Sequence, residues 1–338
     1  MDTLNQNINL KLAIWLFALC IMIVAMIFIG GVTRLTGSGL SMVEWRPFLG
    51  FLPPLTETEW TRVFELYKLS PEFKQINSWM EISDFKFIFF WEYFHRVWGR
   101  LIGLFILIPF LYFIVTKKLK NKILFRSSII LCLVCVQGLI GWWMVKSGLV
   151  NDPNVSQYRL AVHLSNALLI LFLLIWTLLE FKNGYSKIKL DFSFIIFCFL
   201  FTTIIAGAFV AGMDAGLMYN EYPLMGYSFI PENYGENGFL DPFENPASAQ
   251  FHHRHIALFT TICVLIYCYR NYTKSSDGIV KKYSLFMSAL VCFQFFLGIF
   301  TLINMVPIYL GALHQTGAVI LFILLTIIMH RLNIIRIN

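Results

Sequence analysis

Charged residues are scarce in this chain. Only 13% of its 338 residues are Asp, Glu, Lys or Arg, whereas 58% are hydrophobic. A soluble domain carries about a quarter charged residues, so this scarcity excludes an ordinary water-soluble protein. The hydrophobic residues come in blocks of about 20, the length that crosses a bilayer. The composition therefore indicates a polytopic membrane protein embedded in membrane lipid.

Outside the membrane blocks, the chain also lacks any basic patch interleaved with aromatic residues. Its net charge is +7. In a membrane protein such an excess indicates Lys and Arg in cytoplasmic loops. We therefore expect no nucleic-acid partner.

The polar outer loops contain no cysteine, so no loop disulfide is expected. All seven cysteines fall in or at the ends of apolar segments: Cys20, Cys132, Cys135, Cys198, Cys263, Cys268 and Cys292. Cys132 and Cys135 form a CxxC motif inside the apolar run LCLVCVQ. We interpret this motif as membrane packing rather than as a redox pair.

The apolar blocks predict an all-α fold with eight transmembrane helices. The spans are approximately 11–33, 88–115, 127–146, 160–180, 192–213, 249–270, 283–303 and 308–330. The first is too long for a signal peptide, and its end, GGVTRLTGSG, has no small-x-small cleavage site. Loops on one side are basic, as in KKLKNKILFR at 117–126. We therefore expect that side and both termini to be cytoplasmic.

The chain repeats itself. EYFHR at 92–96 returns as QFHHR at 250–254, and RLAVHLSNALLILF at 159–172 returns as LGALHQTGAVILF at 310–322. QGLIG at 137–141 returns as QFFLG at 294–298, and GGVTRLTGSGL at 30–40 as GAFVAGMDAGL at 207–217. Both copies start on the same side of the membrane. We therefore predict two four-helix bundles, residues 1–180 and 181–338, related by a pseudo-two-fold axis along the membrane normal.

The repeat selects four histidines inside the even-numbered spans: His95, His163, His253 and His314. Each has a small residue one turn further along the same helix face: Gly99, Ala167, Ala257 and Ala318. Two imidazoles from facing helices, with space beside them, suit bis-histidine ligation of haem. Zinc would need further Cys, Asp or Glu ligands at the same level. One such histidine alone would indicate hydrogen-bonded packing, but the twice-repeated pattern favours haem.

QFHHRHIALF places three histidines close together, and the repeat selects His253 because it aligns with His95. His252 and His255 share a helix face, so a second metal site there stays open. Arg96 and Arg254 follow the selected histidines. They either pair with haem propionates or extend toward lipid headgroups.

The two halves differ in their acidic and amide residues. Glu44 and Glu221 occupy equivalent outer positions, whereas Glu92 of the first half is Gln250 in the second. A carboxylate near a haem edge can relay protons or stabilise positive charge. A solvated loop acid is the alternative for each. The equivalent Gln137 and Gln294 either join helices or line a pocket.

At these motifs the chain resembles the haem A synthase family. TGSGLSMVEWRP after the first helix, EYFHRVWGR in the second, and the HR and HQTGA motifs of the sixth and eighth carry the resemblance, which covers nearly the whole chain. It implies an eight-helix enzyme of the bacterial cell membrane or of an equivalent energy-transducing membrane. Such an enzyme oxidises a methyl group of haem O to a formyl group, through an alcohol, giving haem A for cytochrome oxidase.

The resemblance also implies roles for residues. His253 and His314 would ligate a haem b cofactor, and His95 and His163 would be the counterpart ligands of the substrate haem. Glu44 matches a glutamate that the family needs in its first outer loop. Some members have a cysteine pair there, which this chain lacks. The implied partners are haem O, the farnesyltransferase that makes it and oxidase assembly factors, and a homo-oligomer stays open.

Two other functions are compatible with four membrane histidines or duplicated halves. A dihaem electron-transfer protein would hold two permanent haems, but the unequal halves argue against it. A duplicated transporter would break its helices near the midplane. Here the polar residues cluster instead at the outer helix ends.

Overall fold

A computed structural model describes residues 2–44, 51–119, 121–150 and 153–334, with side chains from residue 10 onward except at 121. Within these ranges the chain forms helices and no β-strand. The α-helices are α1 (Asp2–Leu35), α2 (Glu57–Lys68), α3 (Pro71–Gln75), α4 (Ile82–Val115), α5 (Asn121–Gly148), α6 (Gln157–Asn183), α7 (Phe192–Gly212), α8 (Asp241–Glu244), α9 (Pro246–Lys274), α10 (Gly278–Ile303) and α11 (Ile308–Leu332). The predicted all-α class is confirmed.

Seven of the described helices are long and apolar enough to cross a membrane: α1, α4, α5, α6, α7, α10 and α11. They coincide with seven of the eight predicted spans. The remaining span, 249–270, lies within the helix α9. That helix is less apolar because His252, His253, Arg254 and His255 occupy its first half. The chain is thus a membrane protein, and the eighth span stays a prediction.

The chain divides into two compact units. The first unit comprises residues 22–167, and the second comprises 1–21 with 168–338. Each contains one of the histidine pairs selected by the repeat. The predicted halves, 1–180 and 181–338, and the axis between them stay predictions.

The second unit is organised around α9, which packs against α7 and α10, while α11 packs against α10. Fully buried apolar side chains, including Val264, Met287 and Leu325, fill its core. A hydrogen bond of 2.8 Å between the hydroxyls of Thr203 and Thr260 joins α7 to α9. Such bonds between small polar side chains stabilise helix pairs in lipid.

The first unit carries a folded segment that the sequence did not predict. Residues 51–81, here called the outer cap after their predicted side, include α2 and α3. Thr56 and Ser70 cap these helices by accepting hydrogen bonds from backbone N–H groups. Phe64 and Tyr67 of α2 pack with Phe85 at the start of α4. The predicted outer loop is therefore partly a small helical cap with an aromatic core.

The CxxC motif lies on the surface of a candidate membrane helix. Cys132 and Cys135 are free thiols on the exposed surface of α5. They lie three residues apart and so share one face of that helix. Their packing within the membrane stays a prediction.

Candidate functional site

The second unit brings His253 of α9 and His314 of α11 together. Their ring centroids lie 6.5 Å apart, and the ring planes are nearly perpendicular, at 87°. The sequence predicted this pair from the repeat. The helices thus hold two imidazoles within reach of one metal ion.

A glycine on a neighbouring helix lies against each of these rings. A Cβ atom on Gly207 of α7 would lie 3.1 Å from Cε1 of His253, and one on Gly298 of α10 would lie 2.7 Å from Cε1 of His314. Contacts as short as the second force a neighbour to move. The histidines therefore occupy space that only a glycine backbone leaves free.

The first unit repeats the arrangement. A Cβ atom on Gly30 of α1 would lie 3.3 Å from Nε2 of His95, and one on Gly141 of α5 would lie 3.1 Å from Cε1 of His163. All four predicted histidines thus have a facing glycine. Sequence reasoning had instead selected small residues on each histidine's own helix. One of them, Gly99, faces the side chain of Met26 rather than a histidine.

Two glutamines fix the histidines of the last helix in each unit. Nε2 of Gln137 lies 3.3 Å from Nε2 of His163 and donates to its backbone carbonyl at 3.0 Å. Nε2 of Gln294 lies 3.1 Å from Nδ1 of His314 and donates to its carbonyl at 2.7 Å. Both alternatives left open by the sequence apply, since each amide joins two helices and contacts a candidate ligand.

The histidine pairs fit a metal-centred cofactor. Nδ1 of His163 and Nδ1 of His253 are buried, and neither has a hydrogen-bond partner among the described residues. A buried polar atom without a partner is costly, and coordination to a metal is one way to satisfy it. The facing glycines let the neighbouring helices approach these imidazoles closely, which holds each ring in place. These residues are therefore suited to haem.

A buried acid lies one turn before His95. Glu92 is only 3% exposed. Its carboxylate accepts hydrogen bonds from Ser41 Oγ and from the Met42 backbone N–H, each at 2.7 Å. Arg96 pairs with it at 2.5 Å. The sequence analysis noted Glu92 only for its difference from Gln250. Its position in an apolar run, three residues before a selected histidine, is the signal that identifies it.

A family model described as cytochrome oxidase assembly protein, COX15-CtaA, matches residues 13–326. The chain belongs to the COX15-CtaA family. This membership confirms the resemblance stated from the motifs.

Relatives of this COX15-CtaA chain carry a more specific name. A heme A synthase of Nitrosospira multiformis is 42% identical over 95% of each chain. The heme A synthase of Rickettsia felis is 42% identical over 91% of this chain and 94% of its own length. That of Granulibacter bethesdensis is 40% identical over 98% and 90%. The similarity therefore extends through both units.

In this COX15-CtaA chain, Glu44 lies at the entrance to the outer cap rather than in the interior. Its carboxylate pairs with Arg62 of α2 at 3.1 and 3.4 Å, and both side chains are about two-fifths exposed, at 38% and 42%. Ion pairs this exposed contribute little to stability. The catalytic role of Glu44 stays a prediction.

The two predicted propionate-binding arginines contact the protein itself. Arg96 donates to the Met42 carbonyl at 3.0 Å besides pairing with Glu92. Arg254 donates to the carbonyls of Leu224 and Tyr219 at 3.1 and 2.9 Å. Both guanidinium groups thus hold outer backbone segments in place, and their binding of propionates stays a prediction.

The remaining histidines lie outside the pairs. His252 contacts the Tyr234 hydroxyl at 3.3 Å, and Nδ1 of His255 lies 2.8 Å from the Phe251 carbonyl. The described residues contain no group of three or more His, Cys, Asp or Glu side chains placed to hold a metal. His330 is fully buried against Trp176.

Proposed function

We propose that this chain is a heme A synthase, an enzyme that oxidises the methyl group of haem O to a formyl group through an alcohol. The supporting observation is the similarity of 40–42% to heme A synthases over nearly the whole chain. Two histidine pairs with facing glycines agree with an enzyme that binds two haems. The electron-transfer alternative has no support among the named relatives.

In this proposal the two units have different ligands. His253 and His314 hold haem b, which supplies a redox centre that accepts electrons when it is bound. His95 and His163 bind the iron of the substrate haem in the first unit. Gln137 and Gln294 orient one imidazole of each pair, and the facing glycines leave the space that the imidazole rings occupy.

Glu92 is the residue that we propose to act on protons during the oxidation. Each two-electron step from methyl to alcohol to aldehyde releases protons, which need an acceptor. Glu92 and His95 are three residues apart and share a face of α4. Three donors hold its carboxylate in place, so it is positioned before substrate binds. Its charge would also stabilise positive charge that develops on the substrate.

Glu44 is the second candidate acid, by family resemblance. Its pair with Arg62 places it on the segment that leads from α1 into the outer cap. Its side chain is 38% exposed and so reaches the outer medium. We propose that Glu44 passes protons between the site and that medium.

The setting follows from the helices. We propose that α9 is the eighth span, that the protein lies in the bacterial cell membrane, and that both termini are cytoplasmic. The basic segment 117–126 supports this orientation. Haem O is too apolar to cross water freely, so direct transfer from the farnesyltransferase that makes it is expected. Oxidase assembly factors are the proposed recipients of the product.

Extraction of haems tests the proposal. The protein is expressed in a membrane that supplies haem O, and the haems are then separated by chromatography and identified by mass. We expect haem A or its alcohol intermediate only when the intact protein is present. Two haem b molecules per chain with unchanged haem O would support the electron-transfer alternative instead.

A further inference from the structure

Two cations lie at the outer end of the α5–α6 contact in the first unit. Nη1 of Arg159 donates to the Trp143 carbonyl at 2.6 Å, and its guanidinium lies 4.5 Å from the centroid of the Trp143 ring. Lys146, in the last turn of α5, lies 5.1 Å from the ring of Trp142. Both cations are thus held on tryptophans at one helix end.

These cations lie on the helix pair that carries a substrate ligand. Arg159 precedes His163 by four residues, so both point from the same face of α6. On α5, Gly141 contacts His163, and Trp143, two residues further on, contacts Arg159. The cationic end is therefore about 6 Å beyond His163 along the helix axis.

The position of Arg159 is unfavourable unless an anion is nearby. It lies in the first turn of α6, where the helix dipole repels a positive charge, and that turn contains no acid. The ion pairs of the described residues involve neither Arg159 nor Lys146. Among the described residues neither cation has a carboxylate partner, and this indicates a site for an anionic group.

The second unit lacks this feature. By the repeat, Lys146 corresponds to Ile303 and Arg159 to Leu310. Leu310 is buried among apolar residues. The cations are thus absent from the site proposed for the resident cofactor and present at the one proposed for the substrate. This difference is expected if they capture a ligand that enters and leaves.

We propose that Arg159, assisted by Lys146, binds a propionate carboxylate of the substrate haem at the outer end of the first unit. This inference rests on the proposed function. Arg96 and Arg254, the arginines first considered for propionates, each make at least two hydrogen bonds to the protein, whereas Arg159 makes one among the described residues. A guanidinium fixed by a tryptophan ring still presents donors to a carboxylate, because it has five N–H groups in one plane.

The test compares haem O with its dimethyl ester, in which both carboxylates are blocked. Affinity is measured by absorbance titration, so that it does not depend on turnover. We expect Arg159→Gln to weaken haem O binding about tenfold, the typical loss of one charge-assisted pair. The ester should bind the wild-type protein and Arg159→Gln equally. Arg159→Lys should recover part of the affinity for haem O.

Arg270→Gln is the matched control, because Arg270 stacks on Phe192 at 5.6 Å in the second unit. It should change neither affinity. An equal loss for haem O and its ester in Arg159→Gln would mean that Arg159 only supports the fold, and no loss for either would also overturn the inference. Should Arg159→Gln fail to fold, Lys146→Gln replaces it, with a smaller loss expected for haem O alone.

Product analysis separates this inference from the proposed function. If the wild-type protein makes no haem A, the proposed function fails. The affinities for haem O and its ester still decide whether Arg159 recognises a carboxylate. If haem A is made and Arg159→Gln binds haem O normally, only the inference fails.

Discussion

The two units share a histidine framework but differ in the polar group beside it. Each has two histidines, each with a facing glycine, and one glutamine that contacts a ring nitrogen. One turn before the first histidine, however, the first unit has Glu92 and the second has Gln250. The carboxylate of Glu92 accepts from a backbone N–H, whereas the amide of Gln250 donates to the Tyr219 carbonyl at 3.0 Å.

In our proposal the shared histidine framework serves haem binding, whereas the difference between Glu92 and Gln250 serves the reaction. The shared features position the imidazoles, which a cofactor and a substrate haem both need. Only the first unit has a carboxylate one turn before its first histidine, and a reaction that releases protons can use one. The substitutions below test this division, in order of decreasing expected effect.

The largest effect is expected at the cofactor pair. His253→Ala should abolish the haem b absorbance spectrum while the protein still inserts, because one of two axial ligands is lost. His252→Ala is the control and should retain the spectrum, since its ring contacts Tyr234 rather than His314. An unchanged spectrum in His253→Ala would exclude it as a ligand. Loss in His252→Ala alone would indicate that the repeat selected the wrong residue.

Glu92→Gln makes the first unit resemble the second. Ser41 and the Met42 N–H both donate to one carboxylate oxygen, and an amide oxygen can keep those two contacts. The other oxygen accepts from Arg96, and Gln replaces it with an NH2 group that cannot accept, so this pair and the negative charge are lost. We expect haem b to remain and product formation to fall about 100-fold or more. Haem extraction measures both quantities.

Two further substitutions serve as controls for that prediction. Gln250→Glu should leave turnover close to normal, because the second unit holds no substrate in our proposal. Glu44→Gln should reduce product formation less than Glu92→Gln, since Glu44 is paired at the surface with Arg62. Complete loss in Glu44→Gln with normal turnover in Glu92→Gln would transfer the proton role to Glu44.

A smaller effect on turnover is expected at the facing glycines, and a second glycine on the same helix serves as the control. Gly141→Ala should displace the His163 ring, because the new Cβ would lie 3.1 Å from it, and we expect about a tenfold loss of turnover. Gly138→Ala, on the same helix, meets nothing within 4 Å and should be neutral. The amount of haem A or its alcohol intermediate, measured after haem extraction, distinguishes the two variants. Equal losses would mean that α5 is sensitive to any added methyl group.

The histidines were predictable from the sequence because the repeat aligns them without any knowledge of packing. Their facing glycines were not. Small residues are common in membrane helices, and the sequence gives no means of pairing Gly30 with His95 or Gly141 with His163. The prediction therefore placed the clearance on each histidine's own helix, using local spacing. The close approach comes instead from long-range helix contacts.

The outer cap escaped prediction for a different reason. Its helices α2 and α3 have only 12 and 5 residues, and short helices depend on tertiary packing rather than on local propensity. The Phe64, Tyr67 and Phe85 contacts that stabilise them join two separated segments. Glu92 was visible in the sequence, but its burial and its three donors depend on the fold of residues 38–42 beside α4.

Glu72 in the outer cap and Asp241 at the start of α8 are buried acids with opposite pKa shifts. Burial raises the pKa of Glu72 to about 7, although the Tyr67 hydroxyl donates to its carboxylate at 2.9 Å. Burial acts in the same direction on Asp241, but hydrogen bonds from Ser248 and from the backbone N–H groups of Asn237 and Gly235 outweigh it, and the pKa falls to about 2. Glu72 is therefore neutral below about pH 7, whereas Asp241 remains an anion down to about pH 2.

These shifts predict changes in stability of opposite sign. The folded-state pKa of Glu72 exceeds its ordinary value of 4.5, so Glu72 lowers the free energy of unfolding as the pH rises from 4.5 to 7. The full loss of stability is reached above pH 7. Glu72→Gln should therefore stabilise the outer cap by about 2–3 kcal/mol at pH 8 and by nothing below pH 4.5. Asp241 has a lowered pKa, so its contribution is complete above pH 3.8 and disappears as the pH falls toward 2. Asp241→Asn should lower the stability of this outer segment at pH 8, because an amide cannot accept all of these hydrogen bonds.

Amide hydrogen exchange measures both effects when each variant is compared with the wild-type protein at the same pH. Exchange in α2 and α3 should slow in Glu72→Gln at pH 8, and exchange around 235–245 should accelerate in Asp241→Asn. Neither substitution should alter the haem b absorbance spectrum, because both acids lie outside the histidine framework. Slower exchange of α2 and α3 at pH 4 as well as pH 8 would mean that Gln stabilises the cap by packing rather than by removing a buried charge.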